Sequence, residues 1–168
     1  MTISKQTGTS WTNSSGSNKI IEALGTGFGA GYSSRFSGTF GSLFGVGAFF
    51  LTRNLSPIAQ AIIFLFFCFL AIGIAEKIER TEKTKDPDHI IIDETIGMWV
   101  SLLFIWQINT SSVFTAFVLF RFFKILKPFP LNLFQGFNGG VGIVADDLAA
   151  GMMTNFILRL ILLQGIFG

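Results

Sequence analysis

Asn54-Leu-Ser-Pro57-Ile-Ala-Gln-Ala-Ile-Ile-Phe64-Leu-Phe-Phe-Cys68-Phe-Leu-Ala-Ile-Gly-Ile-Ala75 runs for 22 residues without a charge. At ~1.5 Å per residue a helix of that length crosses a hydrocarbon core of ~30 Å. Pro57 suits the first turn, where its missing N–H costs nothing. Charge returns in Glu76-Lys-Ile-Glu-Arg-Thr-Glu-Lys-Thr-Lys-Asp86, with signs alternating at helical spacing. That pattern predicts a solvated extension of the same helix, which Pro87 ends.

Composition supports a lipid setting for the whole chain. Of 168 residues, 50% are hydrophobic, 21 are Phe and only 13% are charged, with a mean hydropathy of +0.60. A water-soluble domain carries about 25% charged residues, so the deficit says that lipid covers much of the surface. The length suits one domain. Residues 1–18 read as a Ser/Thr/Gly-rich disordered lead-in, and residues 19–168 as a single helical membrane domain. A net charge of +2, with no basic run interleaved with aromatics, excludes nucleic acid as a partner. The lone Cys68 lies inside the apolar run, so no internal disulfide is possible.

Around that anchor the remaining elements fall into order. Lys19 to Leu24 predicts a short interfacial helix leading into Gly25-Thr-Gly-Phe-Gly-Ala-Gly31. Those glycines fit neither Gly-x-Gly-x-x-Gly nor a Walker loop with its lysine, which leaves close helix packing or a turn. Ser37-Gly-Thr39-Phe-Gly-Ser42-Leu43 opens an uncharged run from Phe36 to Thr52. Hydroxyls and glycines ahead of a helix suit an anion site, and they suit a simple cap equally well. Thr95 to Phe120 is uncharged but contains Asn109-Thr-Ser-Ser112, predicting a helical hairpin with that cluster at its tip and arms of about 15 residues. Arg121, Lys124 and Lys127 close the second arm, Pro128 and Pro130 stop it, and a glycine-rich loop leads to Asp146-Asp147 and a last apolar helix. The expected fold is an all-α, membrane-embedded bundle of about five hydrophobic helices plus the short N-terminal one.

Following each helix from end to end brings every charged motif to one face. Of twelve Lys and Arg, only Arg53 and Arg159 fall elsewhere, and the positive-inside bias makes the crowded face cytoplasmic. Four carboxylates gather there: Asp93, Glu94, Asp146 and Asp147. Acids at a helix start can be caps favoured by the macrodipole, or part of a structural ion-pair network. They can also hold a divalent cation, because hard cations take oxygen ligands. With Arg121, Lys127 and the hydroxyls of Thr39 and Ser42 nearby, the set points to phosphate chemistry on a lipid, with Mg²⁺ the expected metal.

Other phosphatase designs fit poorly. Cys68 has Ile74 six places on, where a thiolate mechanism needs arginine, and His89 is the one histidine, so a two-histidine mechanism is excluded. Asp86-Pro-Asp88 approaches an aspartyl-phosphate signature but follows a charged helix and not a buried strand. His89 itself reads as a solvent-facing loop residue. A transporter or channel would need polar groups deep in the spans, and Arg159 is the one candidate.

Four blocks in order carry a resemblance. They are Gly38-Thr39-Phe-Gly41-Ser42-Leu43; Asp86-Pro87 through Ile-Ile-Ile-Asp93-Glu94 to Gly97-Met98-Trp99; Phe120-Arg121 with Lys127-Pro128-x-Pro130; and Gly139-Gly140-x-Gly142-Ile143 with Asp146-Asp147 and Ala150-Gly151. Together they resemble the phosphatidylglycerophosphatase A family of bacterial, Mg²⁺-dependent, inner-membrane lipid phosphatases. The resemblance implies a multi-pass helical protein that removes the terminal phosphate of phosphatidylglycerophosphate to give phosphatidylglycerol, with its site facing the cytoplasm. It implies that Asp93, Glu94, Asp146 and Asp147 form the catalytic metal site, and that Arg121, Lys127, Thr39 and Ser42 bind phosphate. Lys124 stands where the family usually has Asp, Asn138 where it commonly has His, and Ser34 and Ser37 where prolines are expected. Those departures frame the alternative, a catalytically impaired member acting as a non-enzymatic membrane protein.

Overall fold

The computed structural model of the chain describes residues 16–33, 36–106, 108–126 and 139–164. These residues form six α-helices and one 3-10 turn, with no strand among them. The helices are α1 (Gly16–Gly25), α2 (Ser37–Thr52), α3 (Pro57–Glu82), α4 (Ile92–Leu102), α5 (Thr110–Leu126) and α6 (Gly139–Leu163), and the 3-10 turn is Ala30–Tyr32. The all-helical expectation holds. The expected hydrophobic run and its charged extension are one continuous helix, α3, closed by Lys83 in the left-handed region. Ser56 caps its start, accepting a hydrogen bond from the Ala59 N–H.

Two helices, α3 with 26 residues and α6 with 25, are long and apolar enough to cross a bilayer. Of the expected bundle of about five hydrophobic helices, the described residues show two of spanning length. At 16, 11 and 17 residues, α2, α4 and α5 fall short of the ~20 that a full crossing needs. The outward side of α3 carries Ile58, Ile62, Leu65, Phe66 and Phe69, all exposed, a surface suited to lipid.

The shortest of the major helices, α4, is the hub. Eight of its eleven residues are buried, and it packs against α2, α3, α5 and α6. Trp99 stands edge-on to Phe64 and Phe67 of α3, with ring centroids 5.5 and 5.7 Å away. Close backbone approach makes this packing possible. A Cβ on Gly97 would lie 2.7 Å from the Asp147 carbonyl oxygen, and one on Gly151 would strike the Gly97 carbonyl.

The predicted hairpin is real but lopsided. α4 stops at Leu102, and Leu103 turns out of the helix with φ −58° and ψ 134°. Asn109, expected at the tip, instead starts α5, its Oδ1 accepting from the N–H and hydroxyl of Ser112 at 2.8 and 2.9 Å. The arms are 11 and 17 residues, not two of about 15.

What lets α4 end inside the bundle lies on α6. The Asn155 amide nitrogen sits 3.0 Å from the carbonyl oxygens of Val100, Ser101 and Leu103. Arg159 Nη2 donates to the Leu103 and Phe104 carbonyls at 3.2 and 3.1 Å, while its Nε donates to Asn155 Oδ1 at 2.7 Å. A helix end away from water must have its free carbonyls satisfied by such groups, and a cation there also suits the dipole. Arg159 is therefore tied to a helix end.

At the opposite end of α6, Glu76 of α3 accepts from the Gly140 N–H at 2.6 Å and from Arg80 Nε at 2.6 Å. The charged extension is thus more than a solvated face. One of its carboxylates fixes the start of the helix that carries Asp146 and Asp147.

Candidate active site

Asp93 and Glu94 fall in the first turn of α4, where carboxylates are favoured by the free N–H groups and the dipole. Neither acts as the N-cap: that position is Ile91, with no side-chain hydrogen bond. Both side chains are buried instead, at 6% and 7% exposure, and turn towards the C-terminal part of α5 and the third turn of α6.

Lys124 is at the centre. Its Nζ donates to Glu94 Oε1 at 2.6 Å and to Asp147 Oδ2 at 2.8 Å, and lies 3.8 Å from Asp93 Oδ2. One turn earlier on α5, Arg121 Nη1 donates to Glu94 Oε1 at 3.3 Å. Asp93 and Glu94 of one acidic doublet and Asp147 of the other, more than fifty residues on, therefore share one ammonium group. Asp147 is 2% exposed, and Asp146 is half-buried beside it on the wall of a cavity of about 700 Å³. The same cavity is lined by Ser37, Glu79, Lys85, Asp86, His89, Asp93, Glu94, Lys124 and Asp147, among others.

Access for Glu94 and Arg121 depends on α2. A Cβ at Gly38 would land on Arg121 Nη1 and Glu94 Oε1, and one at Gly41 would lie 2.8 Å from Glu94 Oε2. Gly38, Gly41, Ser42 and Gly45 form one buried stripe at helical spacing. Thr39 is a hundred degrees off that stripe and is exposed, so the expectation that it lines the pocket is corrected; Ser37 lines it instead. Ser42 is on the stripe and fully buried, its Oγ without a hydrogen-bond partner among the described residues. Lys127 and Asn138 lie outside the described residues.

His89 also departs from expectation. Its ring stacks on Tyr32 at 4.9 Å between centroids and 11° between planes, and it lines the cavity. Its Nε2 is 2.9 Å from Glu82 Oε1, close enough to pair electrostatically but not aligned for a hydrogen bond. Tyr32 donates to Glu22, and burial followed by that carboxylate pushes its hydroxyl pKa well up.

Two residues of this site were hard to read from sequence. Lys124 stands out in the sequence as a departure from the family pattern, but not as the centre of the acids; its spacing of three from Arg121, one helical face, is the available signal for that. Glu79 was hidden in the alternating charges of α3, yet its Oε2 is buried without a hydrogen-bond partner on the cavity wall.

The donor set tests whether a divalent ion suits the cavity. All the acidic donors are oxygen, the choice of Mg²⁺. Asp93 Oδ1 and Glu94 Oε2 are buried without hydrogen-bond partners among the described residues. With the acids ionised, Asp93, Glu94, Asp146 and Asp147 outnumber Lys124 and Arg121, and Glu79, Asp86 and Asp88 against Lys85 add further negative charge to the cavity wall. A divalent ion would offset part of that charge. Among the described residues no three acidic, His or Cys side chains already stand in metal-holding geometry, because the ammonium occupies the point where three carboxylates converge.

The profile of the family described as Phosphatidylglycerophosphatase A matches residues 23–162, which takes in all these elements. The chain belongs to the phosphatidylglycerophosphatase A family. It is 34% identical to Phosphatidylglycerophosphatase A of Haemophilus influenzae, over 82% of this chain and 86% of that one. Identity to Phosphatidylglycerophosphatase A of Escherichia coli K12 is 30%, over 82% of this chain and 81% of that protein. A Bacteroides thetaiotaomicron protein named Putative phosphatidylinositol-3-phosphatase is 35% identical, over 80% of this chain and 88% of that one. No solved structure matches the chain. As a family member it carries its acidic cluster, Arg121 and the Gly38–Gly41 stripe in one corner of the bundle.

Proposed function

We propose that this protein is a lipid phosphatase that hydrolyses the terminal phosphomonoester of phosphatidylglycerophosphate, giving phosphatidylglycerol and inorganic phosphate for phospholipid biosynthesis. The observation that carries this reading is the convergence of Asp93, Glu94 and Asp147 on one cavity beside Arg121 in a phosphatidylglycerophosphatase A family member. Water attacks phosphorus, the bond from phosphorus to the glycerol oxygen breaks, and that oxygen leaves as the alcohol. A carboxylate of the cluster takes the water's proton, and the leaving oxygen gains one. Arg121, with Lys127, holds the non-bridging oxygens, and Arg121's flat pair of donors suits them. Ser42, expected to add a donor, is fully buried on the α2 stripe and off the cavity wall, so we assign it no contact to phosphate.

Asp93, Glu94, Asp146 and Asp147 would hold Mg²⁺, with Asp93 Oδ1 and Glu94 Oε2 the buried oxygens left over for it. When bound, the ion supplies positive charge that polarises the phosphoryl group. We place the protein in the bacterial inner membrane as a multi-pass protein with the cavity on the cytoplasmic side, a reading supported by the Lys and Arg bias and the apolar spans.

The test is phosphate release by purified protein from phosphatidylglycerophosphate in mixed micelles, with Mg²⁺ and with EDTA. Release that requires Mg²⁺ is expected. Full activity in EDTA would refute the metal assignment, and no release under any condition would favour the non-enzymatic alternative. Phosphatidylinositol 3-phosphate, offered in parallel, should be the poorer substrate.

A further inference from the structure

We propose that the glycine run Gly25–Gly31 is a positioning element for the acidic cluster. It holds the His89–Ile91 segment from which α4 departs, and so sets where Asp93 and Glu94 enter the cavity. The inference rests on the phosphatase reading for its kinetic test alone. Both acids lie in the first turn of α4, yet the N-cap, Ile91, carries no side-chain cap. The helix start is fixed from outside. The Ile91 N–H donates to the carbonyl of Gly25, the last residue of α1, at 2.9 Å. The Ile91 side chain, 1% exposed, lies over two of the glycines. A Cβ on Gly27 would come within 2.7 Å of Ile91 Cδ1, and one on Gly31 within 3.2 Å of Ile91 Cγ2.

Gly31 makes the closest approach. A Cβ there would overlap the His89 carbonyl oxygen and lie 2.9 Å from the carbonyl carbon. Those are backbone atoms, which cannot swing aside as the tip of a side chain can. The chain reaches that position by reversing after α1, where Gly27, Phe28 and Gly29 take φ of 56°, 57° and 94°. Fully buried Thr26 secures the reversal. Its Oγ1 accepts from the Gly29 N–H at 3.1 Å, and its carbonyl from the Gly31 N–H at 2.8 Å. Tyr32, the next residue on, stacks against the His89 ring. The segment is therefore gripped at the His89 carbonyl, the His89 ring and Ile91. Asp93 follows only two residues after that grip, at the start of a rigid helix, so a displaced grip displaces the acids.

The experiment compares Gly31→Ala with Gly73→Ala, where the added methyl meets nothing within 4 Å, in the full chain in detergent. For phosphate release from phosphatidylglycerophosphate, kcat per folded molecule should fall about 10- to 100-fold in Gly31→Ala, the scale of a misplacement on the order of 1 Å. In Gly73→Ala it should stay within about twofold. Amide hydrogen exchange should quicken at Ile91 and Thr95 in Gly31→Ala and stay unchanged in α6. A glycine that served the fold alone would lower the unfolding midpoint and leave kcat per folded molecule as in wild type, which would overturn the proposal. Unchanged exchange at those two amides would do the same. Should Gly31→Ala fail to fold, Ile91→Val removes the methyl seated on Gly27, and kcat should still drop several-fold; no drop would count against the proposal. A wild type that releases no phosphate would sink the phosphatase reading, and the exchange result would then decide this one by itself.

Discussion

At its C-terminal end α4 presents the carbonyls of Val100, Ser101, Leu103 and Phe104 to the bundle, and Asn155 and Arg159 of α6 satisfy all four. At its N-terminal end the same helix buries Asp93 and Glu94 against Lys124 and Arg121, and one oxygen of each carboxylate is left without a partner. Both ends bring polar groups into a setting that penalises them, and only one closes its hydrogen bonding. The difference separates structure from function. The carbonyls that end the helix are paired completely, whereas the carboxylates proposed to bind a ligand are not.

That contrast can be broken by mutation, and the acidic end should lose activity most heavily. Asp147→Asn should lower phosphate release on the order of 10²–10³-fold, the scale for losing one electrostatic group at a reacting centre, while leaving the helical content by circular dichroism intact. An active Asp147→Asn would move the site elsewhere. Gly38→Ala comes next. Its methyl group would displace Arg121 and Glu94 from one another, and misplacement on the order of 1 Å costs up to about 10²-fold in rate, measurable as a fall in kcat.

The closed end should answer in stability. Arg159→Met strips the donor from the Phe104 carbonyl, while Asn155 still donates to Leu103, so about one hydrogen bond is lost, worth about 0.5–1.5 kcal/mol. A lower midpoint of thermal unfolding in detergent is expected, with kcat per folded molecule unchanged. The smallest effect belongs to Thr39→Ala, which should leave kcat and KM within about twofold, since Thr39 faces away from the cavity and exposed positions contribute little. A large loss there would restore Thr39 to the phosphate pocket.

The acidic end was legible because charges are scarce: in a chain with so few, two acidic doublets at the heads of apolar runs stand out, and helix direction alone sends them to one side. The apolar run in α3 was legible for the same reason. The break at Leu103 was not. Nothing local marks it, since the residues that stop α4 are Asn155 and Arg159, more than fifty positions away. Asn109-Thr-Ser-Ser112 gave the right motif with the wrong consequence, because an Asn that caps the next helix and an Asn at a hairpin tip have the same sequence signature. Thr39 was misplaced by treating a motif as a patch when α2 shows one face of it. Lys124 sits among acids because tertiary packing puts it there, a placement that its spacing from Arg121 allows but does not specify.

The central claim is that the open end of α4 is where phosphate is released. The most direct measurement is phosphate release from phosphatidylglycerophosphate by wild type and Glu94→Gln at equal amounts of folded protein, in the presence of Mg²⁺. The account predicts ready release by wild type and release near background for Glu94→Gln. Equal rates from the two proteins would contradict it.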